Sequence, residues 1–271
     1  MNYFEYVTSF LYFRSLVRQP FYIEDTSFVM NDEYTGELTE EMLEAIKDPF
    51  IDTIRFGTKF NRPVRNIPLN IRTIYFGIYY NQEIKKIWIT PFLNLSDKPY
   101  QIYFSHKFNS SISNIDSFIN KIVFSDKFNQ PIKDFPVSIK HLEFGEGFNQ
   151  NLDVLRYNDV LGYLRVGRDF NQPLDDLNEN LTKLIIESDK FDFPLPNLPR
   201  YLKKLVIGRG FNQILFNIPR TIETIELLNP DYNMVIYEKL PPNLKTIVIS
   251  QYYPYLSQLI QEYGKVEIIL F

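Results

Sequence analysis

The sequence predicts a β-rich solenoid, a right-handed coil of short repeated units whose strands form a parallel sheet of about ten, with helical or irregular caps. Three observations predict it. An aromatic-Asn pair recurs as Phe60-Asn61, Tyr80-Asn81, Phe108-Asn109, Phe128-Asn129, Phe148-Asn149, Phe170-Asn171, Phe211-Asn212 and Tyr232-Asn233, with Phe191-Asp192 filling the one gap, at spacings of 20 to 22 residues and once of 28. Ahead of the pairs lies an apolar motif with a three-residue and then a two-residue step, as in Ile51/Ile54/Phe56, Ile139/Leu142/Phe144 and Leu202/Leu205/Ile207. Behind them come apolar-Pro steps such as Ile67-Pro68, Phe135-Pro136 and Leu198-Pro199.

Each element follows from these patterns. The two-residue step is strand periodicity, so Ile54 and Phe56 point to one side while Arg55 points to the other. Proline has no N–H for a ladder and keeps the preceding residue out of a helix, so the return segment is extended or turn-like. A single coil cannot bury its own apolar side, but coils stacked about 4.8 Å apart can. The repeats occupy residues 51–250. The open ends need covering, which assigns residues 1–50 as an N-terminal cap or adaptor region and 251–271 as a C-terminal cap.

Within the first cap, Thr39 followed by Glu41, Met42, Leu43 and Ile46 reads as a capped helix with acidic residues in its first turn. In the last, Ser257 to Tyr263 reads as a helix with Gly264 as C-cap, and Val266, Ile268 and Leu270 alternate like a final strand. Tyr252, Tyr253 and Tyr255 read either as capping contacts or as an exposed patch. The 28-residue spacing leaves an insertion between Ile87 and Tyr100 that holds Trp88 and Phe92. It is either a loop on the binding face or a bulge whose Trp packs inward.

Composition sets the boundaries of function. With 45% hydrophobic residues, 24 Phe and 19 Tyr, the chain can offset its conformational entropy and fold. The absence of Cys excludes disulfides, thiolate metal sites and cysteine nucleophiles, and fits a reducing, cytoplasmic compartment. A net charge of −4 is a poor footprint for neutralising phosphates, so nucleic acid is not the expected partner. No run approaches the roughly 18 apolar residues that cross a bilayer, and no membrane association is expected.

The Phe-Asn-x-Pro-Ile unit with its Ile-Pro partner resembles the FNIP repeat, also called IP22, a leucine-rich-repeat relative found in social amoebae and in giant viruses that infect amoebae. The resemblance covers about residues 51 to 250. It implies a leucine-rich-repeat-like solenoid used for protein interaction, often behind an F-box that recruits a ubiquitin ligase. Residues 1–50 carry no Leu-Pro start or F-box helix pattern, and the Ile-Pro step is missing at Ile87-Trp88, Ile115-Asp116 and Leu155-Arg156.

The Phe and Asn columns read as architecture: a packed spine, and side chains that satisfy turn backbone groups. Recognition falls instead on the strand positions that face solvent. The candidate protein-binding face is Arg55, Tyr75, Tyr103, Glu143, Tyr163, Arg165, Ile185 and Glu226, with Trp88 and Phe92 as the candidate insertion loop. Tyr and Arg are the residue types favoured at interfaces, although β-branched residues also occur there for strand propensity alone.

Catalysis has no comparable support. Only His106 and His141 are present, with no metalloprotease, nucleophile-elbow or phosphate-loop motif. Glu143 and Glu226 lie four coils apart, about 19 Å on the strand spacing, too far for a glycosidase pair. No cofactor or metal is expected. The expected function is a non-enzymatic protein-interaction scaffold with an unidentified protein partner, a host protein in the host cytoplasm if the chain is viral. A ubiquitin-ligase substrate receptor and a self-associating virion component are the alternatives.

Overall fold

The computed structural model describes residues 19–88, 99–175, 177–236, 240–262 and 265–271. The chain folds as a β-solenoid and divides between Asp116 and Ser117 into two compact units. In the first, strands β1 (Phe21–Glu24) and β2 (Ser27–Met30) form an antiparallel hairpin. From β2 the order continues in parallel through β3 (Thr53–Arg55), β4 (Thr73–Tyr75) and β5 (Tyr100–Tyr103).

In the second unit eight strands pair in chain order, each parallel to the last. They are β6 (Ile119–Val123), β7 (His141–Glu143), β8 (Tyr163–Val166), β9 (Lys183–Ile186), β10 (Lys204–Ile207), β11 (Thr224–Leu227), β12 (Thr246–Ile249) and β13 (Glu267–Leu270). The pairing sets Leu164 opposite Leu184 and Leu205 opposite Ile225, so the apolar column stays in register from coil to coil. Strand formation follows from β-branched and aromatic residues on a pleated, half-buried surface.

Among the described residues each unit carries one short α-helix. Thr39 caps helix α1 (Glu40–Ala45), its hydroxyl accepting from the Met42 N–H, and the Met42 side chain is buried. At the other end helix α2 (Leu256–Glu262) precedes β13; Gly264 lies outside the described residues. The tyrosine cluster divides its roles. Tyr253 is buried and stacks on Tyr232, whereas Tyr252 is 78% exposed.

From β3 to β7 the core of each coil is an aromatic pair, and from β8 on an aliphatic residue such as Val166 or Ile186 replaces its first ring. Phe144 at the end of β7 lies 3.8 Å from Phe148, and Phe76 lies 4.0 Å from Tyr80. The second ring of each pair then stacks on its counterpart one coil away. In the second unit the spine runs Phe128, Phe148, Phe170, Phe191, Phe211, Tyr232 and Tyr253, with centroids 6.0 to 6.3 Å apart. In the first it runs Phe60, Tyr80 and Phe108. Offset stacking of this kind adds to the large apolar area each ring buries.

Beside the spine stands a hydrogen-bonded ladder. The Asn61 side-chain oxygen accepts the N–H of Asn81, and that of Asn81 accepts the N–H of Asn109. In the second unit Asn129 serves Asn149, Asn149 serves Asn171, Asp192 serves Asn212, and Asn212 serves Asn233. Asp192 can replace Asn because only an acceptor oxygen is needed. Each of these six turn amides is thereby satisfied by the neighbouring coil, as unpaired backbone groups require.

The departures from the Ile-Pro step have a physical explanation. Trp88 carries an N–H where the usual proline has none, and the buried Asp116 carboxylate of the next coil accepts the N–H groups of Ile87 and Trp88. The two departures therefore answer each other. Burial pushes the Asp116 carboxyl up from its ordinary value against these hydrogen bonds. At Leu155-Arg156 a 3₁₀ turn (Asp153–Tyr157) replaces the extended return, and Leu155 fills the core position.

Candidate interaction surface

Strand alternation leaves two rows of side chains on the open side of each unit. In the second unit one row is Val123, Glu143, Arg165, Ile185, Val206, Glu226 and Val248, each directly opposite the next. The other is Lys121, His141, Tyr163, Lys183, Lys204, Thr224 and Thr246. The sequence columns are thus structural rows.

Their side chains interlock. The His141 ring stacks on Tyr163 at 3.9 Å and 5°. The Lys183 ammonium lies 4.9 Å from the Tyr163 centroid. His141 Nε2 is hydrogen-bonded to Glu143, which also has Lys121 within 3.6 Å. Arg165 pairs with Glu187, and Lys204 with Glu226. The face mixes charged, aromatic and aliphatic side chains, and its polar groups are held by contacts between neighbouring coils. In the first unit Arg55 lies over Tyr75 at 4.4 Å, and Tyr75 stacks on Tyr103 at 4.6 Å.

Ile185 sits differently from expectation, whereas Trp88 takes the second of the two positions open to it. Ile185 is 8% exposed and belongs to the core side of the balance; its opposite neighbour Val206 is also buried, so adjoining aliphatic side chains shield each other. Trp88 is 3% exposed, donates from Nε1 to the Ile71 carbonyl and meets Tyr100 edge-on. The inward-packing reading holds for it. Phe92 lies outside the described residues. Among the described residues no three His, Asp or Glu side chains group to hold a metal, and no helix is long and apolar enough to cross a membrane.

Residues 128–155 match the family model described as FNIP Repeat. That span is similar to the FNIP repeat. The matched span contains two spine rings, Phe128 and Phe148, the ladder pair Asn129 and Asn149, and strand β7. A comparison with curated proteins finds no match. Among solved structures the chain is similar to CroV588 of the giant virus CroV, described as a novel circular LRR protein structure. The TM-score is 0.42 and the identity 21%, covering 87% of this chain and 51% of that one. The chain therefore spans about half the length of that protein.

Within the matched FNIP unit, the hydrogen bond from His141 holds the Glu143 carboxyl below its ordinary value, outweighing burial, with Lys121 adding to the effect. A depressed carboxylate contributes stability above its unfolded value of 4.5, and that contribution is lost as pH falls through the folded value. The urea midpoint of Glu143→Gln is accordingly expected to lie below that of the parent at neutral pH. The two should converge as the pH falls below 4.5 and through the depressed folded value. Parallel curves across that range would show that Glu143 does not supply this pH dependence.

Two face residues were not legible as such in the sequence. Tyr22 lies opposite Val29, and Val29 opposite Arg55, so the β1–β2 hairpin extends the open face of the first unit. The available signal was the alternation of Phe21 to Met30 about the Asp25-Thr26 turn, where Asp25 takes a left-handed φ of 52°.

Proposed function

We propose that this FNIP-repeat chain is a non-enzymatic protein-interaction scaffold that binds through the open face of its strands. Repeat folds of this leucine-rich-repeat-like kind are typically non-enzymatic. The observation that carries the reading is the division of labour across each coil. The Phe and Asn columns are consumed by the neighbouring coil, whereas Tyr75, Tyr103, Tyr163, Arg55 and Arg165 stand on the face, stacked or ion-paired in fixed positions. Tyr and Arg contribute most to binding when presented rigidly, because little side-chain freedom is left to lose.

A photo-crosslinking amino acid placed singly at Tyr75, Tyr163 and Val137 tests this. Val137 is 72% exposed on a return segment. Capture of one common protein from Tyr75 or Tyr163 and not from Val137 is the expected result. Equal labelling from all three positions, or labelling from Val137 alone, would remove the face from consideration.

A further inference from the structure

The open face of the first unit has a row unlike any in the second. Tyr22, Val29, Arg55, Tyr75 and Tyr103 stand opposite one another across five strands. The parallel row beside it is polar and carries one charge, Glu24. Arg55 is exposed, and among the described residues it makes no hydrogen bond or ion pair; its guanidinium lies against Tyr75, which is backed by Tyr103.

That placement has a chemical consequence. A guanidinium laid on an aromatic ring has one face covered while its N–H donors, which lie in its plane, remain available at the rim. Those donors match the two oxygens of a carboxylate. Stacking has already ordered the side chain, so binding need not do so. A phosphate would carry nearly two charges, but these rows hold one cation, with Glu24 alongside to oppose a dianion. The flanks, Tyr22 with Val29 on one side and Tyr75 with Tyr103 on the other, are suited to apolar or aromatic groups. The row spans four strand spacings, about 19 Å, the reach of roughly six residues of extended chain.

We propose that this row is a docking strip for an extended peptide segment carrying a Glu or Asp between apolar or aromatic residues, with Arg55 receiving the carboxylate. The proposal rests on the scaffold reading and names the chemistry of its partner.

The test uses the full chain, immobilised, and three pools of short synthetic peptides with randomised apolar-rich flanks. The pools differ only at a fixed central residue: Glu, Gln or phosphoserine. The Glu pool is expected to be retained about tenfold better than the Gln pool, as a charge-assisted hydrogen bond of about 1.5 kcal/mol would give. Arg55→Gln, with unchanged circular dichroism, should make the two pools equal. Arg55→Lys should restore only part of the preference, since it keeps the charge and loses the fork.

Equal retention of the Glu and Gln pools by the parent chain, stronger retention of phosphoserine, a preference that survives Arg55→Gln, or no retention of any pool would each overturn the proposal. The scaffold reading is judged separately by the crosslinking. A partner captured from Tyr163 and not from Tyr75 would preserve that reading and sink the docking strip.

Discussion

Phe148→Ala is expected to destabilise the second unit by about 3 to 5 kcal/mol, the usual cost of deleting a fully buried aromatic ring. Phe148 has no exposed surface and stands between Phe128 and Phe170 in the spine, with Phe144 packed on it from its own coil. Removing it opens a cavity bounded by rings on three sides. Those rings are held by their own coils and can collapse inward only partly. A urea titration followed by far-ultraviolet circular dichroism measures the loss as a lowered midpoint. Because each coil contacts only its neighbours, the weakened coil should also split the transition and reduce its slope. A midpoint within about 1 kcal/mol of the parent would mean that the spine is not the main source of cohesion.

Gly77→Ala should cost about 2 to 3 kcal/mol although it adds a single methyl group, as overpacking does when the neighbours cannot move aside. A Cβ at Gly77 would lie 2.0 Å from the carbonyl oxygen of Gly57 in the preceding coil. No described glycine adopts a left-handed φ, so the cost is one of contact and not of dihedral strain. The obstacle is backbone, which cannot rotate away like a side chain, so the two coils must part. The same titration reads this loss. Substitution at Gly162, where the nearest atoms are 3.8 Å away, should be nearly silent by comparison.

The repeat made most of the architecture legible before any coordinate was known. A constant period aligned Ile54 with Ile74, and the strands pair in that register because a slip of one residue would turn every apolar side chain outward. The period also hid what did not repeat. The hairpin of β1 and β2 carries no Phe-Asn pair and was absorbed into a generic cap, yet it supplies Tyr22 and Val29 to the open face. Burial of Ile185 escaped for another reason: strand parity assigns a side, whereas exposure on that side depends on what stands in the adjoining coils, here Arg165 and Val206. The answer of Asp116 to Trp88 joins residues 28 apart, and neither position taken alone reveals it.

The asparagine ladder has a direction. In every rung described, the side-chain oxygen belongs to the earlier coil and the backbone N–H it accepts belongs to the later one. The ribosome releases the chain in that same order, and folding during synthesis proceeds from the N-terminus. At these six rungs each emerging turn therefore meets an acceptor that is already in place. The Ile87 and Trp88 amides run the other way, since their acceptor Asp116 lies in the later coil, so the asparagine column alone favours growth from the earlier end.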